Sequence, residues 1–101
     1  MKKREIFAEI IEIVVSETDV PCEEILSKSK QAEVVDARYM LIMALLDFGF
    51  YPSEVARMVG LTSRAINYTI SNFDTRMDYA KYKRNTYDRI RKRVGNIAFA
   101  G

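Results

Sequence analysis

Between Thr62 and Ser71 the chain reads TSRAINYTIS. At 3.6 residues per turn, Ser63, Arg64, Asn67, Tyr68 and Ser71 share one face of a helix. Their side chains are short or forked hydrogen-bonding groups. An arginine fork matches the two acceptors of guanine in a major groove, an asparagine amide matches the donor and acceptor of adenine, and hydroxyls reach sugar and phosphate. This is recognition chemistry and not bond making. The sequence contains no histidine, which removes Ser-His and Cys-His nucleophile pairs and the common zinc sets. A carboxylate-only magnesium site would need acids concentrated in one pocket, and no stretch supplies them. The expectation is therefore no catalysis, no cofactor and no metal.

The polar face needs a helix to carry it and a neighbour to hold that helix. Ile66, Ile70 and Phe73 recur at three-to-four spacing and predict its buried stripe, with Thr62 as N-cap. Just before it, PSEVARMVGL predicts a shorter helix with Pro52 at its first position and Val55, Ala56 and Val59 on its inner side. Small Ala56 lets the second helix approach closely. Gly60 takes the left-handed conformation that ends a helix, and Leu61 closes the turn. Residues 52–73 thus read as a helix-turn-helix, with Arg57 on its outer side.

The 101 residues suit one domain, 1–101, and 49% hydrophobic content argues against disorder. The net charge of +2 is unevenly placed: residues 1–50 hold six Lys/Arg against ten Asp/Glu, a net −4, and residues 51–101 hold ten against four, a net +6. The proposed reading helix lies in the electropositive half. Cys22 is the single cysteine, so no internal disulfide forms. The MKKR start runs into Glu5, Glu9 and Glu12, unlike a signal peptide. The apolar run from Tyr39 to Leu46 is far short of the roughly 20 residues that cross a bilayer. These features predict a cytoplasmic protein with no membrane contact.

From Lys2 to about Glu17, Ile6, Phe7, Ile10, Ile13 and Val14 form the stripe of an amphipathic helix whose outer glutamates read as solvated surface. Asp19, Val20 and Pro21 break it and restart a short helix through Cys22, Ile25 and Leu26, where Cys22 reads as a small core or boundary residue. Ser27 to Gln31, SKSKQ, is a basic loop; Lys28 and Lys30 either touch phosphate or are simply solvated. Val34 and Val35 open a long helix, apolar on all sides from Tyr39 to Leu46, with Asp36 and Arg38 as charged exceptions and Gly49 as its end. Beyond Phe73, Asp74 is a candidate cap for a basic last helix over about 75–93, with Met77, Tyr79, Tyr82, Thr86, Ile90 and Val94 as a thin, mainly apolar stripe. That helix packs on the domain or on a second copy. Its cations suit a nucleic-acid backbone, and its interleaved tyrosines suit either the core or stacking on a single strand. The tail from Gly95 to Gly101 reads as frayed.

From about Ile25 to Phe73, roughly half the chain, the sequence resembles the C-terminal duplex-binding domain of the bacterial replication initiator DnaA, which is similar in architecture to the tryptophan repressor. The resemblance rests on a short helix leading into a basic loop, ILSKSK; an Ala-Arg pair opening a long apolar helix, VVDARYMLIMALL; and the helix-turn-helix SEVARMVGLTSRAINYTI. It implies an all-α domain of five to six helices that binds double-stranded DNA through the second helix of the motif, in replication or transcription control. The family's signature at the turn is close to G-R-D-H-T-T-V. This chain has Gly60, Leu61, Thr62, Ser63, Arg64, Ala65 and Ile66, so its target is not the family's own box. Where the family loop carries several arginines, this one offers Lys28 and Lys30. Arg38 matches the helix-opening arginine, which holds the DNA backbone or the loop. No glycine-rich phosphate loop is present, so ATP-driven origin melting is not implied.

Together the readings predict a DNA-binding face of Thr62, Ser63, Arg64, Asn67, Tyr68, Ser71, Arg57, Lys28, Lys30 and Arg38. A homodimer through the first or last helix would pair two such faces on a palindrome. The competing expectation is a non-catalytic protein-interaction module that reuses the same helices, since the reading helix carries one cation before Arg76.

Overall fold

Buried residues lie on every side of one helix, from Val34 through Ala37, Met40, Leu41, Ile42 and Leu45, and that helix is the centre of the molecule. The computed structural model describes residues 2–97. Among them are six helices and no strand: α1 (Lys3–Thr18), α2 (Cys22–Ile25), α3 (Ala32–Phe48), α4 (Pro52–Val59), α5 (Ser63–Met77) and α6 (Lys81–Gly95). All of the other helices pack on α3, α1 and α6 also pack on each other, and α4 packs on α5. Each fully buried Leu or Ile contributes about 1.5–3 kcal/mol. A helix apolar all round therefore draws in neighbours until none of its faces is wet.

The helix ends follow from local chemistry. Asp19 caps α1 in the left-handed region at φ 60°, returning its N–H to the Val15 carbonyl. Gly49 ends α3 at φ 127°. At α4, Pro52 sits in the first turn and the Tyr51 N–H donates to Glu54 Oε1 at 2.9 Å. Gly60 stops α4 at φ 72°, and the Leu61 N–H returns to the Ala56 carbonyl at 2.9 Å. Thr62 caps α5, its Oγ1 accepting from the Ala65 N–H at 3.1 Å.

Three expectations change. The buried stripe of α5 is Ile66, Thr69, Phe73 and Met77, and Ile70 is 41% exposed. Both 69 and 70 fall near the stripe, and Thr69 is admitted to the core because its hydroxyl donates to the Ala65 carbonyl at 3.0 Å. Helix α5 continues through Asp74 to Met77, so Asp74 is not a cap, and the last helix begins at Lys81. Burial of Met77, one turn beyond Phe73, makes the extension favourable. Gly95 ends α6 and Ile97 is buried, which corrects the frayed reading for 95–97; positions 98–101 lie outside the described residues.

Polar contacts join the layers. Asp36, buried on α3, accepts from Arg76 of α5 and lies 3.2 Å from Lys83 of α6. Tyr87, buried on α6, donates to Asp47 of α3 and packs edge-on against Phe73 at 4.8 Å. Burial, and then the bond to Asp47, push the Tyr87 phenol far up from its ordinary value. Glu17 at the end of α1 accepts from Arg89 Nε at 2.9 Å and Arg93 Nη1 at 3.0 Å. Hydrogen bonds from Arg89, then Arg93, hold its carboxyl below 4.5.

Two predictions follow from these contacts. A Cβ at Gly60 would meet no atom within 4 Å, so Gly60→Ala isolates the backbone cost and should lower stability by about 1–2 kcal/mol in urea denaturation. Glu17 has a depressed folded pKa, so its contribution is complete above 4.5 and disappears as the pH falls through the lower folded value. The difference in melting temperature between wild type and Glu17→Gln should accordingly be present at neutral pH and close in acid.

Candidate nucleic-acid interface

The α4–α5 unit stands on α3, and its outer side is the expected polar face. Ser63, Arg64, Asn67, Tyr68 and Ser71 are all exposed on α5, Thr62 is exposed at its start, and Arg57 is exposed on α4. Tyr68 is 63% accessible, so its ring is not packed into the core. Thr62 takes up the Ala65 N–H at the start of α5, the positive end of the helix dipole and a favourable position for an anion.

The basic loop reaches this face because Arg38 holds it there. From the first turns of α3 its guanidinium donates to the carbonyls of Ile25 at 2.8 Å, Ser27 at 2.7 Å, Ser29 at 3.1 Å and Glu24 at 3.4 Å. Ser27 and Ser29 hydroxyls accept further backbone N–H groups along the loop. Desolvation lowers the Arg38 pKa, yet a guanidinium stays charged in proteins. Of the two roles open to this arginine, the loop occupies its donors. Its donors serve the loop, so its place beside the α5 face is that of a brace.

A shallow cleft of about 570 Å³ records the result: Lys30, Arg38, Thr62, Arg64 and Tyr68 line it together with Tyr39. Lys28, Arg57, Ser63, Asn67 and Ser71 do not line that cleft and stand on the exposed surface. Tyr39 is the wall that sequence reasoning missed. Its place in the run from Tyr39 to Leu46 signals core, and it is only 8% exposed, yet it closes the floor of the groove.

The charges of α6 are largely spent inside the molecule. Arg84 pairs with Asp74 at 3.0 Å and Asp78 at 2.8 Å, Arg89 and Arg93 pair with Glu17, Lys83 pairs with Asp36, and Arg91 reaches Asp47 at 4.0 Å. Lys81 and Lys92 of α6 have no ion-pair partner among the described residues, and neither do Lys28, Lys30, Arg57 and Arg64. The last helix packs on its own domain, through α1, α3 and α5. Cys22 is half-buried, and burial raises its thiol pKa, as for an inert boundary residue.

Neither a protein-family model, nor a curated protein, nor a solved structure matches this chain. The site is therefore judged by its own chemistry: exposed hydrogen-bonding groups on one helix, flanked by unpaired cations and a braced loop.

Arg38→Ala removes four charge-assisted bonds, each type worth about 1.5–3 kcal/mol when a charged donor is involved. The variant should show faster amide exchange across residues 24–31 and lower stability, with Arg38→Lys failing to restore protection because one ammonium cannot reproduce the fork.

Proposed function

We propose that this chain binds double-stranded DNA sequence-selectively, laying α5 of a helix-turn-helix into the major groove in the manner of the DnaA C-terminal domain it resembles. The observation that carries the reading is the distribution of unpaired cations. Most charges of α6 are paired with carboxylates, whereas Arg64 on α5 and Lys28 and Lys30 in the braced loop have no ion-pair partner among the described residues, and Arg57 on α4 has only the through-space attraction of Glu54. Free cations beside a polar helix face are what release counterions from a duplex. Arg64 forks to guanine and Asn67 to adenine; Ser63, Tyr68 and Ser71 fix the helix on sugar and phosphate, as do Arg57, Lys28 and Lys30. Two copies on a palindrome would meet through the outer sides of α1 or α6, whose inner sides already pack together.

A second reading has its own observation. Ile70 is 41% exposed beside the polar face, and Arg76, the next cation of α5 after Arg64, is committed to Asp36. A lightly charged face with an exposed isoleucine suits a protein partner, as in an interaction module built on the same helices.

Binding to random and selected duplexes at two salt concentrations separates the two. A duplex binder loses affinity steeply with salt. Arg64→Ala and Asn67→Ala should each remove about 1–3 kcal/mol of discrimination at one base pair and cost less in affinity for random duplex. No binding at low salt rejects the DNA reading in favour of the interaction module.

A further inference from the structure

A second cleft, of about 370 Å³, adjoins the first, and Tyr39 and Tyr68 line both. Tyr79 stands on its rim, in the link from α5 to α6, with Asn72, Thr75, Arg76 and Lys83 completing the lining. Tyr68 is 63% and Tyr79 86% exposed, so two aromatic faces lie open to solvent on one side of the molecule. The Arg76 guanidinium sits 5.1 Å from the Tyr39 ring centre, and Lys83 Nζ sits 5.3 Å from that of Tyr79. Asp36 holds both of these cations, so the unpaired charge beside this cleft is that of Arg64 and Lys30 in the adjoining one. Hydrogen-bonding capacity is present too. Asn72 Nδ2 donates to the Tyr68 carbonyl at 2.8 Å, leaving its amide oxygen free to accept, and the Thr75 hydroxyl is exposed beside it.

We propose that this cleft takes an unpaired base of a single nucleic-acid strand. The strand crosses Tyr68, so that its base stacks on Tyr79 or Tyr68 and its phosphates pass Arg64 and Lys30. Open tyrosine faces stack on any base, and a neighbouring positive groove tracks the backbone. Asn72 and Thr75 meet the base edge. A peptide would satisfy the aromatic rings, but a strand with one phosphate per base also matches the unpaired cations Arg64 and Lys30 of the adjoining cleft. The site shares Arg64 and Tyr68 with the duplex reading, while Asn72, Thr75, Tyr79 and Lys83 belong to it alone. Single strand and duplex therefore compete.

The test uses the full chain, a fluorescein-labelled oligothymidine of about ten nucleotides and a random-sequence duplex, with anisotropy and intrinsic tyrosine fluorescence as readouts. Wild type should bind the single strand with tyrosine quenching. Tyr79→Ala should weaken that binding roughly tenfold, Tyr79→Phe should retain it, and duplex affinity should be unmoved by either. Arg64→Ala should weaken both. Tyr79 is so exposed that its replacement does not threaten the fold, and circular dichroism checks this directly. Single-strand binding that Tyr79→Ala weakens, without duplex binding, upholds this site and rejects the duplex reading. Duplex binding alone overturns the site and leaves the duplex reading standing. Single-strand binding indifferent to Tyr79→Ala also overturns the site, and binding to neither leaves the cleft to a protein partner.

Discussion

A helix with apolar side chains around its whole circumference cannot rest against one neighbour, and that constraint organises this molecule. Helix α3 is short of the length that crosses a membrane, and no helix among the described residues is long and apolar enough to do so. Its hydrophobic surface is covered by the rest of the chain instead. The cover is made by short amphipathic helices, each with a dry stripe turned inward. At the start of α3 the rule has one buried exception. Asp36 is 8% exposed, and a buried carboxylate is tolerable only when paired. It takes its partners from α5 and α6, so the same residue that interrupts the apolar surface sets where two other helices cross it.

The charge asymmetry of the sequence has a different meaning once the helices are in place. An excess of cations in the second half looks like a broad basic surface. Much of it instead meets the acidic excess of the first half across the α1–α6 and α3–α6 contacts, with Glu17, Asp36 and Asp47 as the receiving carboxylates. The pairs made by exposed Arg89, Arg91 and Arg93 contribute little each, about 0–1 kcal/mol, unlike the buried pair at Asp36. Their main effect is on the outside potential, because a paired cation attracts no distant phosphate strongly. What remains unpaired on the α4–α5 unit and the basic loop is a small set, and Arg38 brings the loop's share of it to the start of α5. The set of free cations on this face is thus a product of subtraction as much as of placement.

Much of the fold was legible in the sequence, since the signals are local. Pro52, Gly60 and Thr62 mark the ends of α4 and α5 through backbone chemistry that needs no tertiary partner, and the outer face of α5 follows from helical spacing alone. The exchange of Ile70 for Thr69 was not legible. Two adjacent positions fit the stripe, and only the position of α3 and α4 against α5 decides which one is covered. The extension of α5 to Met77 was hidden for the same reason: its stability comes from burying Met77, a contact supplied by the rest of the core.

By itself, then, the sequence determined the helices, most of their caps, the all-α class and the polar face between Thr62 and Ser71. Periodicity and capping act within a few residues, so linear order contains them. Tertiary structure alone decided which cations are free, that Arg38 braces the loop, and that Tyr39, Tyr68 and Tyr79 line adjoining clefts. Those outcomes depend on groups many residues apart in the chain, such as Glu17 with Arg93 or Asp36 with Lys83. Charge pairing and groove formation follow distance in space, which spacing along the chain does not encode.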